Sequence, residues 1–345
     1  MKLKKMTLEQ RIHAMVHLGS WMKSNPPEWQ EAKERATITN PWFTPEFIHL
    51  AERNIIEQFL DEKKLTHWAR SYKISNEIDM PSTVGIVLAG NIPLVGFHDF
   101  LCVWMSGHNQ VLKLSSKDPH LLPAILKELY NWHITTQNRV SISEQLKGCD
   151  AYIATGSNNT SRYFDYYFGK FPNIIRKNKS SVAILSGDES KEELDALADD
   201  ICLFYGLGCR NVTKLYAPLN YSWDALLEAL QKYQFFIDEH RYKGNFDYHL
   251  TLLLMNQQAY YTNGSIILTE NPSIFSPISQ VHIGYYSNKV ELISELKKNI
   301  DVQCLVGKDH IPFGQAQSPT LLDYADGIDT MAFLLKLENE VRLSS

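Results

Sequence analysis

Three short apolar runs between Thr83 and Thr155 alternate with two segments of helical pattern, and this alternation constrains the fold most. The runs TVGIVLAG, QVLKLS and DAYIAT are short and apolar, and the first ends in glycine. The segment from Leu94 to Met105 and the segment PHLLPAILKELYNWHI both have a helical pattern. A succession of strand, helix and strand within about 75 residues is typical of a parallel sheet with crossover helices. The sequence therefore predicts an α/β region here.

A second α/β region is predicted after Asn178. Its candidate strands are SSVAILSG, VTKLYA, SIILT, VHIGYY and DVQCLV. Its candidate helices run from Lys191 to Tyr205, around Trp223 to Phe236, and near Val290 to Lys298. The first 75 residues or so have apolar residues at three- and four-residue spacing, which indicates helices.

These patterns predict four segments along the 345 residues, a length that suits two ordinary domains. Residues 1–78 form a helical N-terminal region, and residues 79–178 form a Rossmann-like domain. Residues 179–305 form a second α/β domain. Residues 306–345 are a C-terminal segment that we expect to return to the first domain. We predict two doubly wound α/β domains preceded by helices.

Composition excludes several classes of partner. The formal net charge of −5 gives no electrostatic case for nucleic acid. No apolar run approaches the roughly 20 residues that a membrane-spanning helix needs. We therefore expect a soluble, cytoplasmic protein without a membrane span. The five cysteines contain no C-x-x-C pair, so neither a disulfide framework nor a metal site is predicted.

Cys209 is the one cysteine in an unusual sequence setting. It lies in GLGCRN, between a predicted helix and a predicted strand, and two glycines free the backbone before it. The adjacent Arg210 is a cation, and a nearby cation favours the reactive thiolate form of a cysteine. A buried cysteine beside glycines that merely turn the chain is an equally good interpretation of these local features.

Asn91 lies in AGNIPL, where the first predicted strand ends. Sites in α/β proteins form at the carboxyl ends of parallel strands. An amide N–H at this position could donate to a developing oxyanion, a contact typically worth a hundred- to a thousand-fold in rate. On spacing alone, an asparagine that caps a helix or forms a turn is the more common alternative.

Candidate cofactor contacts follow the next two strands. Lys113 ends VLK, and Gly156 and Ser157 follow DAYIAT, where a pyrophosphate could approach a helix N-terminus. A solvated lysine and an ordinary Gly-Ser turn are the simpler alternatives. No G-x-G-x-x-G motif follows a strand, so the usual dinucleotide fingerprint is missing. His98, His108 and His249 are weak acid/base candidates.

Taken in order, six segments resemble the aldehyde dehydrogenase superfamily, most closely its LuxC-type acyl-CoA reductase branch. AGNIP is similar to the P-W-N-x-P turn, and VLKLSS to V-V-L-K-P-S-E. ATGSNNTSR is similar to F-T-G-S-T-x-x-G-R, and FYGLGCRNVTKLYAP to the segment that contains the nucleophile. SIFSP resembles E-I-F-G-P, and PFGQAQ resembles P-F-G-G. The resemblance covers roughly residues 81–330.

The resemblance implies an aldehyde dehydrogenase-like fold with a nicotinamide cofactor bound by a variant Rossmann sheet that lacks G-x-G-x-x-G. It implies that Cys209 is the nucleophile, and that Asn91 and the backbone N–H of Cys209 form an oxyanion hole. The positions that match cofactor-binding segments of the family are Lys113, Ser115, Ser116, Gly156 and Ser157.

Three departures from the family pattern are informative. Ile175 stands where aldehyde-oxidising members have the glutamate that activates water, so reduction of a thioester is favoured over oxidation of an aldehyde. Ser116 and Ser273 stand where ribose-binding glutamates occur, which relieves repulsion of a 2′-phosphate. Lys113 and Lys117 could pair with such a phosphate. The resemblance therefore favours NADPH, with NADH as the alternative.

The predicted function is reduction of an acyl-CoA or acyl-protein thioester to an aldehyde through an acyl-enzyme. The alternatives are a semialdehyde dehydrogenase, an acyl phosphate reductase, or a non-catalytic subunit that binds an acyl carrier. A partner protein that transfers the acyl group and a homo-oligomer both remain open, as does the acyl chain length.

Overall fold

The computed structural model describes residues 5–156 and 158–344, and it confirms both α/β regions and the helical start. The helices are α1 (Leu8–Ser24), α2 (Pro27–Thr39), α3 (Pro45–Asn54), α4 (Glu62–Ser71), α5 (Phe97–Ser106), α6 (Leu121–Trp132), α7 (Asn158–Phe168), α8 (Lys191–Cys202), α9 (Asp224–Ala229), α10 (His240–Met255), α11 (Lys289–Lys298) and α12 (Thr330–Ser344). The strands are β1 (Thr83–Val87), β2 (Asn109–Lys113), β3 (Val140–Ile142), β4 (Ala151–Thr155), β5 (Asn173–Arg176), β6 (Ser180–Ile184), β7 (Val212–Pro218), β8 (Tyr260–Thr262), β9 (Ile267–Glu270), β10 (Gln280–Tyr286) and β11 (Val302–Val306).

The chain divides into two compact units. The first contains Met1–Lys177 and Pro319–Ser345, and the second contains Asn178–Ser318. None of the helices described is long and apolar enough to cross a membrane.

The first unit is built on a parallel sheet with the strand order β3-β2-β1-β4-β5. The chain proceeds outward from β1 to β3 and then returns to the other side of β1 to form β4. Such a reversal is a topological switch point, and ligands of open α/β sheets bind outside the carboxyl ends of the strands there. In this unit the switch point lies between β1 and β4.

Helices of the first unit form from recognisable local signals. Thr7 and Gln10 form a reciprocal capping box at the start of α1. Thr44 caps α3, whose first residue is Pro45. The apolar faces of these helices join the strands and α12 in one large hydrophobic core.

A buried ion pair fixes the C-terminal helix within the first unit. Arg176 at the end of β5 donates to the Asp99 carboxylate of α5 and, over 2.8 Å, to the hydroxyl of Thr330 at the start of α12. Loss of one partner would leave a buried charge uncompensated, which is strongly destabilising.

The second unit contains a six-stranded sheet with the order β11-β6-β7-β10-β9-β8. Its strands are parallel except β8, which runs antiparallel to β9 at one edge. β6 and β7 lie in the middle and are almost entirely buried. Strands buried on both faces appear in sequence as continuous apolar runs, which is why SSVAILSG and VTKLYA predict them.

One predicted helix ends earlier than expected. The helix predicted from Lys191 to Tyr205 stops at Cys202, and both Phe204 and Tyr205 adopt left-handed backbone conformations with φ of 56° and 54°. Non-glycine residues in this region of backbone space are strained. The reason for the early end is a set of contacts from Asn211, described below.

Candidate functional site

The candidate cofactor residues of the first unit lie along one edge of its sheet. The register pairs Val87, the last residue of β1, with Lys113 at the end of β2 and with Ala154 near the end of β4. The loops that follow these three strands therefore leave the sheet at its carboxyl edge. This edge includes the switch point between β1 and β4.

The turn after β1 contains Asn91, which is half-buried and has interactions with neighbouring groups. The turn is fixed by Leu94, whose backbone is left-handed with φ of 53° and whose N–H donates to the Asp118 carboxylate over 2.9 Å. Asp118 is buried, and burial raises its pKa even though this N–H acts in the opposite direction. A buried carboxylate thus holds the Asn91 turn in a strained conformation.

The loops after β1 and β2 approach each other closely at Gly90. A Cβ at this position would lie 2.5 Å from Oγ of Ser115, so only glycine fits. The Ser115 hydroxyl accepts the N–H of Lys117 over 3.2 Å. Lys113, Ser116 and Lys117 are exposed. The structure therefore brings the predicted Lys113, Ser115 and Ser116 to the same edge as Asn91.

Gly156 directly follows β4 on this edge, and its N–H donates to the Arg176 carbonyl over 3.4 Å. Ser157, the second residue of the predicted Gly-Ser turn, lies outside the described residues.

Cys209 belongs to the second unit and lies in the loop between α8 and β7. Its carbonyl oxygen accepts the hydroxyl of Ser181, near the start of β6, over 3.2 Å. The loop therefore lies at the amino edge of β6 and β7. The candidate nucleophile thus lies at the amino edge of the sheet of the second unit. The candidate cofactor residues lie at the carboxyl edge of the sheet of the first unit.

Exposure separates Cys209 from most of the other cysteines. Cys102, Cys149 and Cys202 are buried, and burial raises the pKa of each thiol, which disfavours the reactive thiolate. Cys209 and Cys304 are partly exposed. Cys304 lies on strand β11, and its sulfur is 3.0 Å from the Ser181 hydroxyl oxygen. Cys209 is the partly exposed cysteine that lies in a loop.

Asn211 holds the Cys209 loop from within the protein. It is fully buried, and its amide nitrogen donates to the carbonyls of Asp200, Ile201 and Leu203. Its amide oxygen accepts the N–H of Gly208 over 2.8 Å. These contacts satisfy the last carbonyl groups of α8 and permit the left-handed turn that follows. The sequence motifs do not single out Asn211, although its position two residues after Cys209 is a usable signal.

A second anchor joins the loop to the PFGQAQ segment, residues 312–317. The Asp200 carboxylate accepts the N–H groups of Gly314 and Ala316 over 2.6 Å and 2.9 Å. Nε of Arg210 donates to the Ala316 carbonyl over 2.9 Å. Arg210 therefore serves at least partly as a structural donor. Burial of Asp200 raises its pKa to about 6.

The histidines considered from sequence have structural surroundings. His98 is packed between the rings of Phe59 and Tyr324, and burial lowers its pKa to about 4. His108 accepts the Ser82 N–H at Nδ1, and its Nε2 lies 3.0 Å from the Leu334 carbonyl oxygen. Burial also lowers the pKa of His249. Within the part of the chain described, no group of three His, Cys, Asp or Glu residues could hold a metal ion.

Comparisons with known proteins agree with this architecture. The model of a family described as acyl-CoA reductase (LuxC) matches residues 43–220, just over half of the chain. A sequence comparison with curated proteins gives no match.

Solved structures of aldehyde dehydrogenases have a similar fold. A variant of AldA indole-3-acetaldehyde dehydrogenase from P. syringae, in complex with NAD+ and IAA, is 12% identical with a TM-score of 0.63, covering 87% of this chain and 72% of that one. Aldehyde dehydrogenase 21 from Physcomitrella patens, in complex with the product succinate, is 15% identical with a TM-score of 0.63, covering 88% and 74%. The NAD+ complex of an aldehyde dehydrogenase from Bacillus cereus is 14% identical with a TM-score of 0.60, covering 87% and 72%. The predicted aldehyde dehydrogenase-like fold is confirmed.

Proposed function

Because the chain belongs to the acyl-CoA reductase (LuxC) family, we propose that it reduces an acyl thioester to an aldehyde through an acyl-enzyme on Cys209. This is a family of oxidoreductases that act on aldehyde or acyl groups. The observation that carries this proposal is the setting of Cys209. It is partly exposed in a loop that Asn211 holds by four side-chain hydrogen bonds, whereas three of the other cysteines are buried.

The first half of the reaction needs a nucleophile and an oxyanion donor. The Cys209 thiolate attacks the carbonyl carbon of the thioester, and a new C–S bond forms. The side-chain amide of Asn91 and the backbone N–H of Cys209 donate to the resulting oxyanion. When the oxyanion collapses, the original C–S bond breaks and the CoA or carrier thiolate leaves. The acyl group then remains on Cys209.

The apolar side chain at position 175 would protect this intermediate. Ile175 lies on β5, and by the family resemblance it stands where aldehyde-oxidising members carry the water-activating glutamate. Without a carboxylate there, water attacks the thioester slowly. Reduction therefore competes successfully with hydrolysis.

The carboxyl edge of the first sheet fits a nicotinamide dinucleotide. It presents a switch point, a glycine at the end of β4 and two exposed cations, Lys113 and Lys117. Lys113, Ser115, Ser116 and Gly156 would contact the ribose and phosphates, together with Ser157. When bound, the reduced nicotinamide supplies the hydride that converts the thioester to an aldehyde.

The surroundings of this edge favour NADPH over NADH. Ser116 is an exposed neutral residue at the position where, by the family resemblance, a carboxylate would bind the cofactor ribose. A neutral side chain does not repel a 2′-phosphate, and Lys113 and Lys117 attract it.

The proposal is tested by consumption of NADPH with a series of acyl-CoA thioesters of increasing chain length. Cys209→Ala should lower the rate at least a thousand-fold, because removal of a catalytic nucleophile typically costs that much or more. Cys304→Ala, which alters the other partly exposed cysteine, should keep the rate within a few-fold of the wild type.

Other outcomes distinguish the alternatives. Turnover of acyl phosphate or free aldehyde in place of thioesters would replace the proposal by an acyl phosphate reductase or a semialdehyde dehydrogenase. Turnover with an acyl-protein alone would identify a partner protein as the donor. Full thioester turnover by Cys209→Ala would refute the role of Cys209, and absence of nucleotide binding would favour a non-catalytic subunit.

A further inference from the structure

A cavity of about 240 Å³ lies in the first unit at the amino edge of its sheet. Its lining includes Pro81 before β1, Asn109 at the start of β2 and Arg139 before β3. β1 and β2 are five residues long, so this edge is roughly 15 Å from the carboxyl edge that carries Lys113. The cavity is therefore separate from the proposed cofactor site.

Two arginines that line this cavity repel each other. Arg11 of α1 is only 1% exposed, and Arg139 is partly buried. The pKa of each guanidinium group is lowered to about 10, by burial for Arg139 and by burial together with the positive charge of Arg139 for Arg11. Glu338 and Glu77 act in the opposite direction on Arg11 but do not restore its ordinary pKa.

The hydrogen bonds of the two guanidinium groups go to backbone carbonyls, and neither group forms an ion pair with a carboxylate of the described residues. Arg11 donates to the carbonyls of Ser75 and Met6, and Arg139 donates to the carbonyls of Gly107 and His108. Nε of Arg11 is buried and has no hydrogen-bond partner among the residues that the structure describes. An unpaired donor on a buried cation lowers the stability of the fold unless an anion accepts a hydrogen bond from it.

The backbone is shaped to hold Arg11 in this place. Gly107 ends α5 with φ of 93°, and a Cβ there would lie 2.4 Å from Nη1 of Arg11. Any other residue would strain the backbone and displace the guanidinium.

We propose that this cavity binds a phosphate group between Arg11 and Arg139. Guanidinium groups match the oxygens of phosphate in a fork geometry, and two of them would share the dianion. Asn109, Asn138 and Thr135 line the same cavity and can add neutral donors. The volume is smaller than the roughly 300–1,000 Å³ of typical ligand pockets, so the site suits one phosphate group.

A phosphate group bound in this cavity would link α1 to the amino edge of the sheet. Arg11 lies on α1, Arg139 immediately precedes β3, and the bound dianion would remove the repulsion between them. The phosphate could be the free ion or a phosphomonoester group on a larger molecule, since both present the same oxygens.

Titration calorimetry of the full chain with inorganic phosphate at pH 7.5, at constant ionic strength with chloride as balancing anion, tests the site. The wild type should bind one phosphate. Arg139→Gln should weaken binding at least tenfold, because it removes a charged hydrogen-bond donor to the dianion. Arg35→Gln, which removes an exposed guanidinium of α2 outside the cavity, should bind phosphate as the wild type does.

Asn138→Asp tests the proposal without altering a buried residue. Asn138 is exposed, and the change keeps its shape while placing a carboxylate beside the dianion. Phosphate affinity should again fall at least tenfold with an unchanged circular dichroism spectrum. Tighter binding of ribose 5-phosphate than of inorganic phosphate would identify a phosphomonoester, and the reverse would identify the free ion, both in support. No binding by the wild type at about 10 mM phosphate, or binding by Arg139→Gln and Asn138→Asp as tight as that of the wild type, would overturn the proposal.

Discussion

The two units present their candidate residues in different ways. In the first, Lys113, Ser115 and Gly156 lie at the carboxyl edge of a parallel sheet, where α/β proteins generally bind ligands. In the second, Cys209 lies at the amino edge of β7, in a loop that buried Asn211 and Asp200 anchor. The first arrangement follows from strand order, whereas the second depends on particular buried polar side chains.

Backbone strain occurs in both places. The Asn91 turn contains left-handed Leu94, held by the Asp118 carboxylate, and the Cys209 loop follows left-handed Phe204 and Tyr205. Strained residues persist where the surrounding structure over-determines them, and they concentrate at functional sites. Strained backbone therefore marks each candidate loop within its own unit, and the following variants test the two units separately.

The largest expected effect is a slower acylation step on substitution of Asn91. Asn91→Ala should slow acylation by a hundred- to a thousand-fold, because one oxyanion donor is removed. Single-turnover release of CoA measures this step. Asn91→Asp keeps the size but removes the N–H donor, so it should be equally slow. An unchanged acylation rate in both variants would make Asn91 a turn residue.

Asn211→Ala should destabilise the second unit by about 3 kcal/mol, since it leaves one N–H and three carbonyls without the amide partner. Chemical denaturation measures the loss, and binding of nucleotide to the first unit should remain. Asn256→Ala, at the end of α10, is a matched control that should cost less than 1 kcal/mol. Equal effects of the two substitutions would show that the anchor is unimportant.

Asp200 should make the stability of the second unit depend on pH. Its folded pKa of about 6 is above the ordinary value of 3.8, so its contribution to stability is complete below pH 3.8 and is lost as pH rises through 6. The free energy of unfolding of the wild type, relative to Asp200→Asn, should fall by up to about 3 kcal/mol between pH 4 and pH 7. A difference that is constant with pH would contradict the raised pKa.

The smallest effect concerns nucleotide choice at the carboxyl edge. Ser116→Glu should reduce the preference for NADPH over NADH about tenfold, because the new carboxylate repels a 2′-phosphate and can accept hydrogen bonds from a ribose. Ser141→Glu introduces the same carboxylate at an exposed position of β3. It should leave the preference for NADPH over NADH unchanged. Dissociation constants of the two nucleotides provide the measurement. A preference for NADH in the wild type would contradict the role given to Ser116.

The sequence predicts the sheets better than it predicts the Cys209 loop. Buried parallel strands such as β1 and β7 form continuous apolar runs that are visible without any knowledge of their neighbours. The end of α8 is different, because it depends on Asn211 reaching back to three carbonyls. A helical pattern continues through Tyr205, so local propensity alone predicts a longer helix.

Long-range anchors also escape sequence analysis. Asp200 and Ala316 are 116 residues apart, and nothing near either residue indicates their contact. The same applies to Asp118 and the Leu94 N–H. Resemblance to a family gave the candidate nucleophile and cofactor residues, whereas only the structure revealed the polar groups that hold their loops in place.

Trapping of the acyl-enzyme tests directly whether Cys209 is the nucleophile. The full chain is incubated with acyl-CoA without nucleotide, digested at low pH and analysed by mass spectrometry. We expect one acyl group, on the peptide that contains Cys209, and none in Cys209→Ala. Because Ile175 stands in place of the water-activating base, the adduct should persist long enough to be detected. An acyl group on Cys304, or reduction of thioester with no adduct on Cys209, would contradict this expectation.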